Sequence, residues 1–185
     1  MNLLTNALGF QLAWWALVAS VDHGLEAAAI ALCLLLAAIH LYTNPRPALE
    51  LRMAAVSCGL GIVLDTVLQI AGVITLRGWA LGPLSPLWLW TLWALFGLTL
   101  NASMAFLQSR HWGLSVLLGG VFGPLSYLAG GKLGAAIFSP SMQNLAALSL
   151  AWMIAMPLLV VLARRWQQTQ EALAPAHAGP ATDPP

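Results

Sequence analysis

Apolar residues run along this chain in blocks of about twenty, separated by short clusters of polar, glycine and proline residues. Roughly 20 apolar residues are needed for a helix to cross the hydrocarbon of a bilayer. The blocks predict six membrane spans, near 3–20, 24–43, 50–72, 86–107, 112–134 and 144–164. The breaks between them are SVDHG (20–24), TNPRP (43–47), RGWALGPLSP (77–86), QSRHWG (108–113) and FSPSMQN (138–144). Each carries helix-stopping chemistry. The expected fold is therefore all-α, a membrane bundle of six transmembrane helices occupying residues 1–166. From Gln167 onward Pro, Ala, Thr and Gln dominate without an aromatic residue, which predicts a disordered C-terminal tail over 167–185. Val18-Ala19-Ser20 resembles a signal-peptidase site, but no basic segment precedes it, so the first block reads as a span.

Small and polar residues fall on one stripe of several spans. Asn2, Asn6, Gly9, Ala13, Ala16 and Ser20 share a face in the first. Cys58, Gly61, Asp65, Gln69 and Gly72 do so in the third, and Ala94, Gly97, Asn101, Ala105 and Gln108 in the fourth. Membrane helices pack through small residues and hide polar ones from lipid, so these stripes should face one another. Packing alone accounts for most of the pattern.

The fifth block is rich in helix breakers: Gly119, Gly120, Gly123, Pro124, Gly130, Gly131 and Gly134. Gly119/Gly123 and Gly130/Gly134 are GxxxG pairs suited to close helix contact. Pro124 predicts a kink or break, which would expose backbone groups and line a polar cavity with Ser126, Tyr127 and Lys132.

Composition confirms the class. Hydrophobic residues make up 60% of the 185 and charged ones 7%, with a mean hydropathy of +0.83; no water-soluble domain has this balance. A net charge of +1 offers no basic surface for nucleic acid. Cys33 and Cys58 form no CxxC pair, and no metal or cofactor motif is present. Arg46, Arg52, Arg110, Arg164 and Arg165 fall on one side of the six-span arrangement, Arg77 and Lys132 on the other. The positive-inside rule then places both termini in the cytoplasm. Trp112 and Trp166 suit the inner interface and Trp79 and Trp88 the outer one, whereas Trp14, Trp15 and Trp152 lie deeper and call for a packing role.

Asp65 carries the strongest single signal, because an acid in mid-span costs several kcal/mol unless paired, neutralised or wetted. Gln69, one turn away, and Lys132 are the partners expected for it. Such a pair is either structural or part of a site, and a buried ion pair is weak evidence for stability. The candidate polar site is thus Asp65, Gln69, Lys132, Tyr127, Ser126, Asn101 and Asn6. Asp22, His23 and Glu26 read as a solvated loop, and His40 and His111 as interfacial residues.

At NALGFQLAWW (6–15), PLWLWTLWALFGLTLN (86–101) and GPLSYLAGGKLGA (123–135) the chain resembles a bacterial family of small inner-membrane proteins defined as a domain of unknown function. Its members often stand beside enzymes of the cyclopropane-fatty-acid-synthase type, so the resemblance implies a link to membrane-lipid chemistry. It carries over no catalytic residue. Three functions compete. The first is a lipid-linked membrane protein, enzyme or accessory, with a pocket for a lipid or acyl chain. The second is a small transporter or channel working through the Asp65/Lys132 region, and the third a structural partner of another membrane protein.

Overall fold

The computed structural model describes residues 3–139 and 141–173. Among them are six α-helices: α1 (Leu3–Asp22), α2 (Glu26–Thr43), α3 (Pro47–Ile70), α4 (Leu87–Thr99), α5 (Trp112–Lys132) and α6 (Met142–Leu173). All but α4 are long and apolar enough to cross a membrane. Two short strands, β1 (Thr75–Leu76) and β2 (Ala136–Ile137), pair antiparallel with Thr75 opposite Ile137.

Contacts between chain-distant residues mark two ends of an antiparallel bundle. At one end Arg77 meets Asp22 and Gly134, and the β1–β2 pair ties the α3–α4 loop to the α5–α6 loop. At the other, Asn6 meets Ser103, Asn101 meets Gln167, and the Arg52 guanidinium lies 4.0 Å over the Trp166 ring. These are called the Arg77 end and the Asn101 end.

The helices form two walls. In the first, α4 packs against α1, α2 and, most extensively, α3; in the second, α5 and α6 pack along their lengths. Glycines set both close approaches. A Cβ on Gly97 would stand 2.7 Å from the Met53 carbonyl oxygen, and one on Gly119 would stand 2.4 Å from that of Trp152. The GxxxG reading of Gly119/Gly123 therefore holds, and α6 is what it packs on. The walls join through α3 against α6 and through a 3-10 turn at Ala105–Ser109 (η1) against α6. The backbones of α1 and α5 scarcely touch, nor do those of α4 and α5.

Three expectations about elements change. The fourth block is helical only to Thr99, not to 107. The chain then turns, Met104 N–H reaching the Thr99 carbonyl, before η1. This irregular backbone is tolerated because side chains serve it: Gln108 Nε2 donates to the Leu100 carbonyl at 2.9 Å. Second, α5 is one helix from Trp112 to Lys132 with Pro124 inside it, rather than a broken one. Proline removes the hydrogen bond that the Gly120 carbonyl would accept, and Ser149 Oγ on α6 donates to that carbonyl instead, at 2.9 Å. Third, α6 continues to Leu173, seven residues into the expected tail; residues 174–185 lie outside the described chain.

The stripes are buried in large part. Asn6, Ala13, Ser20, Gly61, Asp65 and Gly97 are buried, and Ala16, Cys58, Asn101 and Gln108 half-buried. Gly9 is exposed, Gly72 sits in the turn after α3, and Asn2 lies outside the described residues. The α3 and α4 stripes do meet, whereas α1 packs on α4 and α2.

Candidate functional site

Asp65 has no exposed surface at all. It projects from α3 toward both walls. Trp93 Nε1 of α4 donates to Oδ2 at 2.6 Å, and the Tyr127 hydroxyl of α5 donates to Oδ1. One carboxyl thus links three helices, two of which have almost no backbone contact. Gly61, one turn before Asp65, makes this possible. A Cβ there would stand 2.1 Å from the Trp93 ring, so only glycine lets the indole lie against α3 and aim its N–H at the acid.

Aromatic rings bridge the walls on the other side of this link. Trp93 stacks on Trp152 of α6 with centroids 4.7 Å apart and planes 15° from parallel. Phe96 meets both indoles edge-on, and Tyr127 meets Trp152 at 6.5 Å. Trp152 Nε1 is buried and has no hydrogen-bond partner among the described residues. Gly123 leaves room for that indole, since a Cβ would come within 2.3 Å of it.

Between the walls lies a cavity of about 580 Å³, inside the range of roughly 300–1,000 Å³ usual for ligand sites. Trp93, Phe96, Tyr127 and Trp152 form part of its lining, together with Phe10, Trp14 and Val18 of α1. Almost everything lining it is aromatic or aliphatic; Gln11 and Ser126 are the polar exceptions. Trp15 on α1 and Phe122 and Leu125 on α5 line its edge and are at least about half exposed. The cavity opens sideways there, between two helices that scarcely touch.

The expected site residues divide among three places. Asp65 and Tyr127 come together, although the partners expected for the acid were Gln69 and Lys132. Lys132 does not join them: it is exposed at the Arg77 end, while Asp65 is sealed in mid-bundle, and two aromatic donors do the work foreseen for a cation. Gln69 also turns elsewhere, its Oε1 accepting the Leu76 backbone N–H and so anchoring β1. Ser126 lines the cavity, but its hydroxyl donates to the Gly123 carbonyl of its own helix. Asn6 and Asn101 belong to the Asn101 end. Asn6 Oδ1 accepts from the Ser103 hydroxyl at 2.6 Å and its backbone N–H; Asn101 Oδ1 accepts from Gln108 and Gln167. Asn6 staples irregular backbone, Asn101 ties together two glutamine side chains, and both are remote from Asp65 in the fold.

Other polar residues are also more structured than anticipated. Glu26 is buried and accepts the Trp79 backbone N–H at 3.0 Å, so it departs from the expected solvated loop, whereas Asp22, paired with Arg77 at 3.2 Å, and His23 are exposed. His40 is buried with Glu50, nitrogen and oxygen 3.9 Å apart. His111 caps the start of α5 through Nδ1.

Trp93 escaped sequence reasoning. Its N–H in mid-span was the available signal, since a buried indole seeks an acceptor and Asp65 is the one acid at that depth.

Residues 3–158 match a family described as a protein of unknown function, DUF2878. The chain belongs to that family. The DUF2878 match holds all three segments that carried the resemblance, and Asp65, Trp93, Tyr127 and Trp152 with them; Arg164, Arg165 and Gln167 lie beyond it. No curated protein and no solved structure matches the chain.

Proposed function

We propose that this DUF2878 protein is a six-span inner-membrane protein that takes up the acyl chain of a membrane lipid between its walls, in the service of lipid modification as enzyme or accessory. The laterally open, aromatic-lined cavity carries the reading. A cavity so apolar does not favour water or a hydrated solute, and left empty it would forfeit the dispersion contacts of its lining. The neighbour that can fill it is a hydrocarbon chain from the surrounding bilayer. Asp65 holds Tyr127 and Trp93 in place at its wall. The sixth span is α4 with its flanking turns. Its 13 residues make about 20 Å of helix, and irregular backbone is admissible at membrane depth where protein covers it. The five-to-two basic asymmetry puts both termini in the cytoplasm. Transport through an Asp65–Lys132 region has no support in the geometry, since the two residues do not meet.

Native mass spectrometry after mild delipidation tests the lipid reading. Wild-type protein should retain one lipid. Ala129→Phe, which fills the cavity from α5, should retain none while keeping its helical circular dichroism. Equal retention by a folded variant overturns the proposal.

A further inference from the structure

Gln11 stands where a bilayer tolerates few polar groups. It lies near the middle of α1, is exposed and lines the cavity, and it makes no hydrogen bond among the described residues. Other polar groups of the lining are spent within the protein. Ser126 donates to the Gly123 carbonyl, Tyr127 and Trp93 to Asp65, and Trp88 to the Arg77 carbonyl. Trp152 Nε1 is uncommitted, like Gln11.

These two groups share a depth on opposite walls. Asp22, at the Arg77 end, follows Gln11 by about 16 Å of helix, and Trp152 stands about 15 Å along α6 from its start at that same end. Rings join the two positions. Phe10, beside Gln11, meets Phe96 at 5.9 Å, and Phe96 meets Trp152 at 5.7 Å. One aromatic layer thus crosses the cavity with an uncommitted polar group on each side.

The layer restricts what can fill it. An amide left in hydrocarbon without a partner is costly, and polar residues at this depth mark sites or contacts with protein. An unmodified acyl chain offers only methylenes here, because the glycerol esters sit at the edge of a hydrocarbon slab about 30 Å thick. The satisfying group must therefore lie within the chain. It must be uncharged, since no charged side chain lines the cavity and an unpaired charge would be stripped of water. It must also accept a hydrogen bond, because an indole N–H only donates; Gln11 both donates and accepts, so a hydroxyl or a ketone suits it.

We propose that the cavity takes an acyl chain bearing a hydroxyl or keto oxygen near its middle, bound by Gln11 from α1 and by Trp152 Nε1 from α6. The inference rests on the acyl-chain reading of the cavity and adds the chemical class of the chain to it.

The test uses full-length protein, delipidated in uncharged detergent and titrated with phosphatidylcholine bearing oleoyl or ricinoleoyl chains, which differ by one mid-chain hydroxyl. Bound lipid is read by native mass spectrometry. Two hydrogen bonds should favour the ricinoleoyl lipid by about tenfold in apparent affinity. Gln11→Leu and Trp152→Phe should each cut that preference to about threefold, and together abolish it, with the oleoyl lipid still bound and helical circular dichroism unchanged. Equal binding of the two lipids by wild type overturns the inference, as does a preference that either substitution leaves undiminished. A dimer that Gln11→Leu dissociates would make a second copy the partner of the amide, and overturns it too. If Ala129→Phe still abolishes retention of both lipids in those cases, the acyl-chain reading survives and the mid-chain oxygen alone fails. If Ala129→Phe changes nothing either, both fail.

Discussion

Asp65 is held by two donors and no cation, and that sets what its replacement should do. Asparagine keeps the shape but presents one oxygen and one NH2 where the carboxyl presented two acceptors. Oδ1 can still accept from Trp93 Nε1, while the NH2 donates to the Tyr127 hydroxyl oxygen and leaves the tyrosine proton without its acceptor. A buried polar group left unsatisfied costs about 1–3 kcal/mol. Asp65→Asn should accordingly lower stability by that amount in a reversible unfolding assay, and an unchanged midpoint would show that the two bonds contribute nothing. The sequence alone marks Asp65 as a buried acid in need of partners and places Tyr127 in its neighbourhood. It does not disclose which donors answer. Lysine, glutamine, tyrosine and tryptophan can all satisfy a carboxylate, and the choice depends on which helices are neighbours. Lys132 was excluded by its position at a helix end, a matter of depth that a linear pattern resolves only to a few residues.

At the level of the elements, α5 shows how a helix can carry a proline without breaking. The Gly120 carbonyl freed by Pro124 receives Ser149 Oγ from α6, so the defect of one helix is repaired by its neighbour. Ser149→Ala should be costly in the native background, by about 1–3 kcal/mol. It should be nearly neutral beside Pro124→Ala, which returns a backbone donor to the same carbonyl. A double-mutant cycle read by thermal unfolding should show this coupling; additive effects would separate the serine from the proline. Five of the six helices were legible from apolar block length, and their bounds agree with the structure to within three residues, except that α6 runs nine residues past the expected 164. The end of α4 was not. Its apolar run continues past Thr99, and the turn is held by the Gln108 side chain, which donates to the Leu100 carbonyl and to Asn101 Oδ1. The GPLSYLAGGK pattern advertised a break because the serine that mends it lies 29 residues away.

Over the whole molecule, the two-ended arrangement gives the topology a sharp test. Residues near the starts of α1 and α3 and near the end of α6 gather at the Asn101 end, so the N-terminus and the end of α6 share one side. Alkaline phosphatase fused after Leu173 should be inactive, and fused in the 77–86 loop it should be active. The opposite result would invert the orientation proposed from the basic residues. The stripe argument anticipated a tight interior and found the α3–α4 seam. It could not anticipate the gap between the walls, because a cavity is left by the size and tilt of aromatic side chains, and no periodicity encodes it.

The loose seam between α1 and α5 has a consequence for discrimination. A tunnel entered from its end works as a ruler, since its floor stops a chain at a set number of carbons. A trough open along its side has no such stop. If, as proposed, an acyl chain fills the cavity, chains of different length lie down in it from the flank, with the surplus trailing into the bilayer, and what the rims of Trp15, Phe122 and Leu125 gauge is girth. Branches, rings and cis bends thicken a hydrocarbon chain, and those are the features to which this protein should be sensitive.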